Sequence, residues 1–509
     1  MKKYIFLFLS LLSTIKLRAQ EKGLDQRIDE AFQPISDFFS SVIFFEILGY
    51  PFVILLLVAS ALFFTLYFGF PNIRYFLTSI NVVRGKYDSV EKSDSKSEEG
   101  EVSHFQALAT AVSGTVGNGN IAGVALAIAL GGPGATFWMI ICGLLGMSTK
   151  FVECTLGVYY RDVDKDGVVY GGPMYYISRG LKSKGFKTLG MVAASLFAVF
   201  CIGGSFGGGN AAQSNQATIV IKNLFGYEST FAGAMIGVVL ATLVGIIIIG
   251  GIKRIASVTE KVVPFMALLY ILACIYILGI NFSFIDDAIG LIISEAFNPT
   301  AVGVGGIIGV LMVGFQRAAF SNEAGAGSAS IAHSAVKTKY AASEGLVALL
   351  EPFIDTVVIC TMTALVIITF NSTGAFVYGG DGTGAVLIDG VIYEGAAITQ
   401  MAFAEYIPGS DIFLTFAVVL FAVSTMISWS YYGLQSWKFL FGRGYIADLT
   451  YKVLFLMFVV IGAAASMNSI WAFSDAMIFA MVFPNMVGLY FLFPIVKEQL
   501  KKYLEAIKN

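Results

Sequence analysis

The chain has 509 residues, of which 57% are hydrophobic and 13% are charged, whereas about a quarter of the residues in soluble domains are charged. This composition excludes a soluble globular protein and indicates a polytopic all-α membrane protein, because each spanning helix needs about 20 apolar residues. The net charge of −2, without a basic stripe, excludes nucleic-acid binding.

The first 43 residues precede the apolar part of the chain. Residues 1–20 resemble a signal peptide, with two lysines, a short apolar run and predicted cleavage near Ala19. Lys16 and Arg18 leave an uncleaved interfacial helix as the alternative. Residues 21–43 are amphipathic, and we expect them at the periplasmic membrane surface.

Eleven apolar segments follow, with an extra first helix at 44–70 and a polar tail at 497–509. The segments cover residues 44–70, 105–130, 134–160, 189–220, 229–252, 260–281, 302–333, 342–370, 411–440, 450–471 and 475–496.

Lysine and arginine are concentrated in every second loop and in the tail, whereas residues 371–411 contain none. Cytoplasmic loops carry an excess of these residues. We therefore predict an inner (plasma) membrane protein with a periplasmic mature N-terminus and a cytoplasmic C-terminus.

The second segment contains a sequence that is unfavourable for a helix at mid-membrane depth. Between Ser113 and Gly123 lie four glycines and two asparagines, and each interior glycine costs about 1 kcal/mol relative to alanine. We expect the helix to open here, which frees carbonyls for a cation and amides for a carboxylate. Close helix packing through small residues is the alternative.

The seventh segment has a comparable interruption. Between Gly314 and Ser328 it contains Arg317, Glu323 and further glycines. Ionisable residues inside spans indicate function, although these two could instead form a structural ion pair. The two interrupted segments lie five spans apart and therefore cross in opposite directions, as in secondary transporters built from inverted repeats.

At four places the sequence resembles the alanine or glycine:cation symporter family, and the resemblance extends over about 44–496. The matching motifs are Gly114–Gly123 continued through Met139, Gly171–Ile177, Phe320–Gly325 and Trp429–Gly433. The leader and residues 371–411 lie outside the family pattern. The resemblance implies the leucine-transporter-like fold: two inverted five-helix repeats, 105–281 and 302–496, each with one broken helix.

The resemblance also implies a binding site. For sodium it implies the carbonyls of Ser113 and Val116 and the hydroxyls of Ser424 and Thr425. For the substrate it implies Thr115, Gly119, Phe206, Gln213, Phe315, Thr425 and Trp429. Alternatives remain open: hydroxyls bonded to their own helix, core packing of Trp429, and interhelical hydrogen bonds by the polar residues of the fourth segment.

The implied function is symport of sodium, as co-transported ion, with L-alanine, glycine or D-alanine into the cytoplasm by alternating access. A proton-coupled carrier or a channel-like protein on the same fold is the alternative. An enzyme is not indicated, because the sequence has no His-Glu-x-x-His or Gly-x-Ser-x-Gly motif. Two other acids in the apolar segments, Glu153 and Asp355, are interpreted as gate or packing partners. The oligomeric state is left open.

Overall fold

A computed structural model describes residues 24–91, 100–227, 229, 231–300, 306–380 and 382–508. The leader predicted at 1–20 lies outside the described residues. Helices dominate, because a helix satisfies its own backbone hydrogen bonds, as hydrocarbon surroundings require. The α-helices are α1 (Leu24–Ile43), α2 (Phe52–Tyr67), α3 (Pro71–Arg74), α4 (Phe76–Val83), α5 (Asp88–Glu91), α6 (His104–Thr115), α7 (Val124–Gly131), α8 (Gly134–Tyr159), α9 (Pro173–Ser183), α10 (Lys187–Phe206), α11 (Ala212–Phe225), α12 (Ala232–Ile248), α13 (Gly251–Ile280), α14 (Ile285–Phe297), α15 (Gly306–Asn322), α16 (Ser330–His333), α17 (Ala341–Ala348), α18 (Leu350–Pro352), α19 (Thr361–Phe370), α20 (Ala396–Tyr406), α21 (Ser410–Phe441), α22 (Tyr445–Ala464) and α23 (Met467–Ala506).

Other regular structure is short. Three antiparallel hairpins pair β1 (Glu46–Ile47) with β2 (Tyr50–Pro51), β3 (Asp162–Val163) with β4 (Val169–Tyr170), and β5 (Val386–Ile388) with β6 (Val391–Tyr393). Single 3-10 turns occupy Phe282–Phe284 and Asn371–Thr373, and π-helical turns occupy Gly119–Gly123, Gly207–Ala211 and Phe353–Cys360. π-turns inside helices occur frequently at functional sites.

Seven helical stretches in the described residues are long and apolar enough to cross a membrane, and α6 with α7, bent by 51°, makes an eighth. The seven are Gly134–Tyr159, Lys187–Phe225, Gly251–Ile280, Ala341–Thr373, Ser410–Phe441, Tyr445–Ala464 and Met467–Ala506. The prediction of a polytopic helical membrane protein is therefore confirmed. The helices in the other three predicted segments are shorter: α2 has 16 residues, and α12 and α15 have 17 each.

Two features differ from the sequence prediction. The last helix, α23, continues to Ala506 instead of ending at 496, because pairs such as Lys502 Nζ to Glu498 Oε1 (2.7 Å) extend it on an exposed face. The 13-residue helix α14 was not among the predicted segments, since it is too short for a span. It lies against α8, where Trp138 Nε1 donates to the carbonyl of Ala296 (3.2 Å).

The first described helix, α1, packs along α23. Ser36 Oγ donates to the carbonyl of Ser469 (2.9 Å), and the rings of Phe32 and Phe473 meet edge to face at 5.0 Å. The central helices approach one another closely through small residues. A Cβ on Gly345 of α17 would lie 1.9 Å from Thr155 Oγ1 of α8. This packing buries the two interrupted helices in the centre of the molecule.

Candidate functional site

The first interrupted helix opens where the sequence predicts. α6 ends at Thr115, and the Gly119–Gly123 π-turn leads into α7. Between them the Gly117 N–H donates to Asn120 Oδ1 (2.8 Å), and the Asn118 N–H donates to Gln213 Oε1 (2.9 Å). Asn118 Nδ2 also donates to the carbonyl of Gln213 (3.1 Å). Side-chain amides thus replace the missing helical bonds, and Gln213 ties α11 to the break.

Three oxygens meet beside this break. Thr425 Oγ1 of α21 lies 3.0 Å from the carbonyl oxygen of Ser113 and 3.5 Å from that of Val116. All three residues are buried. Gly117 is required by this contact, since a Cβ there would lie 2.3 Å from Thr425 Oγ1. Carbonyls and a hydroxyl at such distances can replace the water shell of a small cation, because hard cations take oxygen ligands.

The fourth predicted sodium ligand has a different orientation. Ser424 Oγ donates to the carbonyl of Phe421 in its own helix (2.9 Å), and it lies 3.4 Å from Met266 Sδ. Only its backbone reaches the break, where the Ser424 carbonyl accepts a hydrogen bond from Ser113 Oγ (2.7 Å). A serine hydroxyl often bonds back to its own helix, and this is the alternative that the sequence left open.

The second interrupted helix breaks at Glu323, directly after α15. Glu323 has a φ of +56°, a left-handed conformation that is uncommon for a residue other than glycine. Its Oε1 accepts a hydrogen bond from Trp429 Nε1 (2.9 Å), and its Oε2 accepts one from Ser328 Oγ. Gly325 follows with φ +94°, and a Cβ there would lie 2.2 Å from Leu57 Cδ2. The break therefore holds a buried carboxylate in a fixed position.

Arg317 and Glu323 do not pair with each other. Arg317 bonds to Asp475 of α23, whose Oδ2 also accepts from Gln316 Nε2 (3.0 Å). The guanidinium carbon of Arg317 lies 5.6 Å from the ring centroid of Phe320 and 5.7 Å from that of Trp471, so the pair is stabilised by cation–π contacts. The two ionisable residues of the seventh segment therefore have separate partners.

Asp355 connects the two breaks, a role that the sequence reasoning missed. Its Oδ1 accepts from Asn120 Nδ2 of the first break (2.6 Å), and its Oδ2 accepts from Ser321 Oγ of α15 (2.9 Å). Thr356 Oγ1 donates to it as well (2.7 Å). Among the described residues, the groups that donate hydrogen bonds to this carboxylate, on Asn120, Ser321 and Thr356, are all neutral. The available signal was an aspartate inside an apolar segment.

Two predicted substrate residues lie at the centre. The indole of Trp429 packs on glycines of the fourth segment, where a Cβ on Gly209 would lie 2.1 Å from its Cγ and one on Gly204 3.3 Å from its Cζ3. Gly119 faces Ser321, whose Cα would lie 3.4 Å from an added Cβ. Both positions adjoin the second break.

The other three predicted substrate residues make their described contacts with a neighbouring helix or with their own helix. Phe206 stacks on Phe458 of α22 at 4.5 Å between ring centroids. The carbonyl of Phe315 accepts a long contact from Cys142 Sγ of α8 (3.9 Å). Thr115 Oγ1 faces the carbonyl of Ala111 in its own helix (3.3 Å). Their assignment to the substrate stays a prediction.

The segment 371–411 covers one end of the first interrupted helix. Thr399 Oγ1 donates to the carbonyl of Ile121 (3.2 Å), the Gly379 N–H donates to that of Ala129 (2.7 Å), and the Ala396 N–H donates to Gln216 Oε1 (3.0 Å). A cavity of about 550 Å³ lies beside it, between α11, β6 and α20. The segment is thus a packed cover with an adjoining cavity.

At the opposite end of the molecule, ion pairs join segments that connect the helices. Asp162 lies 2.7 Å from Arg179 Nη2 and 2.5 Å from Arg443 Nη2. Hydrogen bonds from Arg179 and Arg443 hold the pKa of the Asp162 carboxyl below its usual range. These side chains are partly exposed, and such pairs contribute little to stability.

Comparison with known proteins decides the family. The family model described as "Sodium:alanine symporter family" matches residues 35–509. The chain belongs to the sodium:alanine symporter family. The resemblance found in the motifs is therefore confirmed, and the protein is a membrane transporter of the amino-acid:cation symport class, not an enzyme.

Individual relatives differ in the substrate that their names give. The sodium/alanine symporter AgcS of Methanococcus maripaludis is 39% identical over 90% of this chain and 95% of its own length. The probable sodium/glutamine symporter GlnT of Bacillus subtilis is 32% identical over 90% of this chain and 88% of its own. A solved manganese transporter of Eremococcus coleocola covers 78% of this chain and 82% of its own at 15% identity and a TM-score of 0.50, which is a likeness of fold alone.

Proposed function

We propose that this family member couples inward movement of sodium to uptake of a small neutral amino acid, with L-alanine as the main substrate and glycine or D-alanine as further candidates. The observation that carries the proposal is the oxygen cluster of Ser113, Val116 and Thr425 beside an opened helix. In this proposal sodium is the co-transported ion and not a resident cofactor. The name of the alanine symporter of M. maripaludis supports the same substrate class.

The proposed cation ligands are the carbonyls of Ser113 and Val116 and the hydroxyl of Thr425. Their helices, α6 and α21, belong to different proposed repeats, so a bound cation would hold the two together. Ser424 is left out of this set because its hydroxyl bonds to the carbonyl of Phe421 and lies beside Met266. Loss of the cation would allow α21 and the first break to separate, which is what alternating access needs.

The small size of the proposed substrate follows from Trp429. Its indole is 1% exposed and fixed by Glu323 and the glycines of the fourth segment. A fixed large side chain at the second break leaves little room for a long substrate side chain. One methylene in an apolar pocket changes discrimination by about 1–3 kcal/mol, so glycine and alanine should be preferred to leucine.

The proposed topology has eleven spans: α2, followed by inverted repeats at 105–281 and 302–496. The two broken helices then occupy corresponding positions in the repeats. The short helices α2, α12 and α15 would cross with the help of flanking residues. The distribution of lysine and arginine supports a cytoplasmic side for Asp162 and Arg443 and a periplasmic side for the 371–411 cover in this proposal.

Uptake of labelled alanine into proteoliposomes tests the proposal. Uptake should saturate and depend on external sodium, and Thr425→Ala should raise the sodium concentration for half-maximal uptake by about tenfold, the equivalent of one lost interaction of about 1.4 kcal/mol. Ser424→Ala, one residue away, should have a clearly smaller effect. Equal uptake in sodium and choline buffers at fixed pH would contradict the proposal, and an unchanged sodium dependence in Thr425→Ala would contradict the site.

A further inference from the structure

Both histidines of the sequence lie in one buried series of ionisable side chains, which we name the glutamate–histidine row. In order, its members are Glu91 of α5, His104 at the start of α6, Glu344 of α17, His333 of α16 and Glu351 of α18, with Lys150 of α8 at its end. Each is at most 9% exposed. The row is separate from the proposed cation ligands.

Hydrogen bonds connect the groups of the row to their neighbours at every step except that from His333 to Glu351. His104 Nε2 lies 2.6 Å from Glu91 Oε2, and His104 Nδ1 bonds to Glu344 Oε2. The other oxygen of Glu344 lies 2.5 Å from His333 Nδ1. At the far end, Lys150 Nζ donates to Glu351 Oε1 (3.0 Å). Glu344 therefore joins the two imidazoles.

Hydrogen-bond chemistry requires extra protons in this row. An ionised carboxylate only accepts, and a neutral imidazole has one donor and one acceptor nitrogen. Both nitrogens of His104 face carboxylate oxygens, so either the imidazole carries two protons or one of the carboxyl groups carries one. In both cases the Glu91–His104–Glu344 triad holds one proton more than a neutral histidine between two carboxylates would.

Charge counting gives the same answer for the whole row. The three glutamates carry three negative charges, and Lys150 balances one of them. Two further protons bring the sum to zero, and unbalanced charge is strongly disfavoured in a buried site. We assign these protons to the two imidazoles, which are more basic than carboxyl groups. Other titratable groups around the row are Tyr503 on Glu91 (2.6 Å), Glu153 and Cys154 on α8, and Glu323 near Lys150. Negative charge on Glu153 and Glu323 would further favour protonation of the groups in the row.

One link in the row is incomplete. His333 Nε2 and Glu351 Oε2 face each other at 3.5 Å, and neither has a hydrogen-bond partner in the described structure. Beyond Lys150, Glu153 accepts from Asn485 Nδ2 (2.7 Å), which also donates to the carbonyl of Gly325 (2.8 Å). The row thus runs from Glu91, in a loop predicted to be cytoplasmic, towards the unwound segment of the second break.

We propose that the glutamate–histidine row is a proton-binding relay that exchanges protons through Glu91 and whose protonation sets the rate at which the transporter works. Loss of a proton leaves a carboxylate uncompensated between α6, α16 and α17. This disfavours the packed arrangement through which each transport cycle passes. The row acts as one unit, because interacting groups titrate together.

Nitrogen-15 NMR of histidine-labelled protein, purified without a histidine tag, tests proton binding directly, because the sequence contains only two histidines. We expect two imidazolium signals at neutral pH, assigned with His104→Gln and His333→Gln, that persist above the ordinary histidine range and change together only as the pH rises to about 10. Glu91→Gln should shift the His104 signal. Two neutral imidazoles at pH 6–7, or an unchanged His104 signal in Glu91→Gln, would overturn the proposal.

The second measurement is the rate of alanine uptake while the pH is held fixed on the side of the membrane that Glu91 faces, which we predict to be cytoplasmic. Raising this pH from about 7 to 10 should slow wild-type uptake several-fold, and His104→Gln should remove the response. Glu498→Gln, on the exposed face of α23, is the matched control and should keep it. An identical pH response in wild type and His104→Gln would overturn the proposed effect on rate. The NMR result does not depend on sodium-coupled uptake, so failure of the proposed function would be seen separately.

Discussion

In both interrupted helices, side chains hold the backbone where the helical hydrogen bonds are lost, but the two breaks use different chemical groups. At the first break, neutral amides and hydroxyls hold the open backbone, mainly Asn120, Gln213 and Thr425. At the second break, a carboxylate in a left-handed conformation, Glu323, is held by an indole and a hydroxyl. The first arrangement leaves carbonyl oxygens available to a cation, whereas the second fixes an anion and positions Trp429. Asp355 joins the two.

The largest effect should follow from closing the first break. In Gly117→Ala the new methyl group would lie 2.3 Å from Thr425 Oγ1 and 3.0 Å from Gln213 Oε1. Overpacking of about 1–3 kcal/mol corresponds to a loss of about 5- to 150-fold, so sodium-driven alanine uptake should fall by a factor in that range. Gly123→Ala is the matched control, since its methyl group would lie 3.7 Å from Trp471 Cη2, an ordinary van der Waals distance. Equal uptake by the two variants would show that the first break is not a tight cation site.

Removing the charge between the breaks should have the next largest effect. In Asp355→Asn, one carboxylate oxygen becomes an NH₂ group that meets the donors Asn120, Ser321 or Thr356. An unsatisfied buried donor costs about 1–3 kcal/mol, and uptake should fall by about tenfold. Ser321→Ala removes a single donor and should cost less. If Asp355→Asn transports as well as wild type, the carboxylate only packs, as the sequence interpretation had it.

Sequence reasoning located both breaks because glycine, asparagine and charge inside an apolar segment conflict with a continuous helix. Through the family resemblance, it also predicted that the Thr425 hydroxyl lies beside the carbonyls of Ser113 and Val116. It could not predict the direction of the Ser424 hydroxyl, because the side-chain rotamer decides whether this group bonds to its own helix or points to the first break. It could not connect Glu91 with His104 or Glu344, since these residues lie far apart in the sequence and meet only through helix packing.

The second break can be tested through its indole. Trp429→Phe removes the donor to Glu323, and a hydrogen bond to a charged group is worth about 1.5–3 kcal/mol. Alanine uptake should therefore fall by about tenfold, and larger neutral amino acids should compete better with labelled alanine. Trp471→Phe is the matched control, because Trp471 Nε1 has no hydrogen-bond partner among the described residues and its ring stacks on Phe320 at 5.0 Å.

Either of two results would contradict this role of Trp429. Both tryptophan variants could lose uptake equally, which would mean that ring volume matters and the hydrogen bond does not. Alternatively, Trp429→Phe could keep the wild-type order of competitors, so that the indole would not limit substrate size.

The smallest effect should come from Phe206, a predicted substrate residue whose ring lies against α22. It stacks on Phe458 at 4.5 Å with an interplanar angle of 8° and lies 5.7 Å from the ring of Tyr451. Aromatic pairs contribute about 0.5–1.5 kcal/mol beyond their buried area, so Phe206→Leu should lower thermal stability slightly and leave half-saturation for alanine unchanged. Phe458→Leu should lower stability by a similar amount, because it removes the same stack. A large rise in half-saturation in Phe206→Leu alone would instead mean that this ring turns towards the substrate during transport, which would restore the role that the family resemblance gives it.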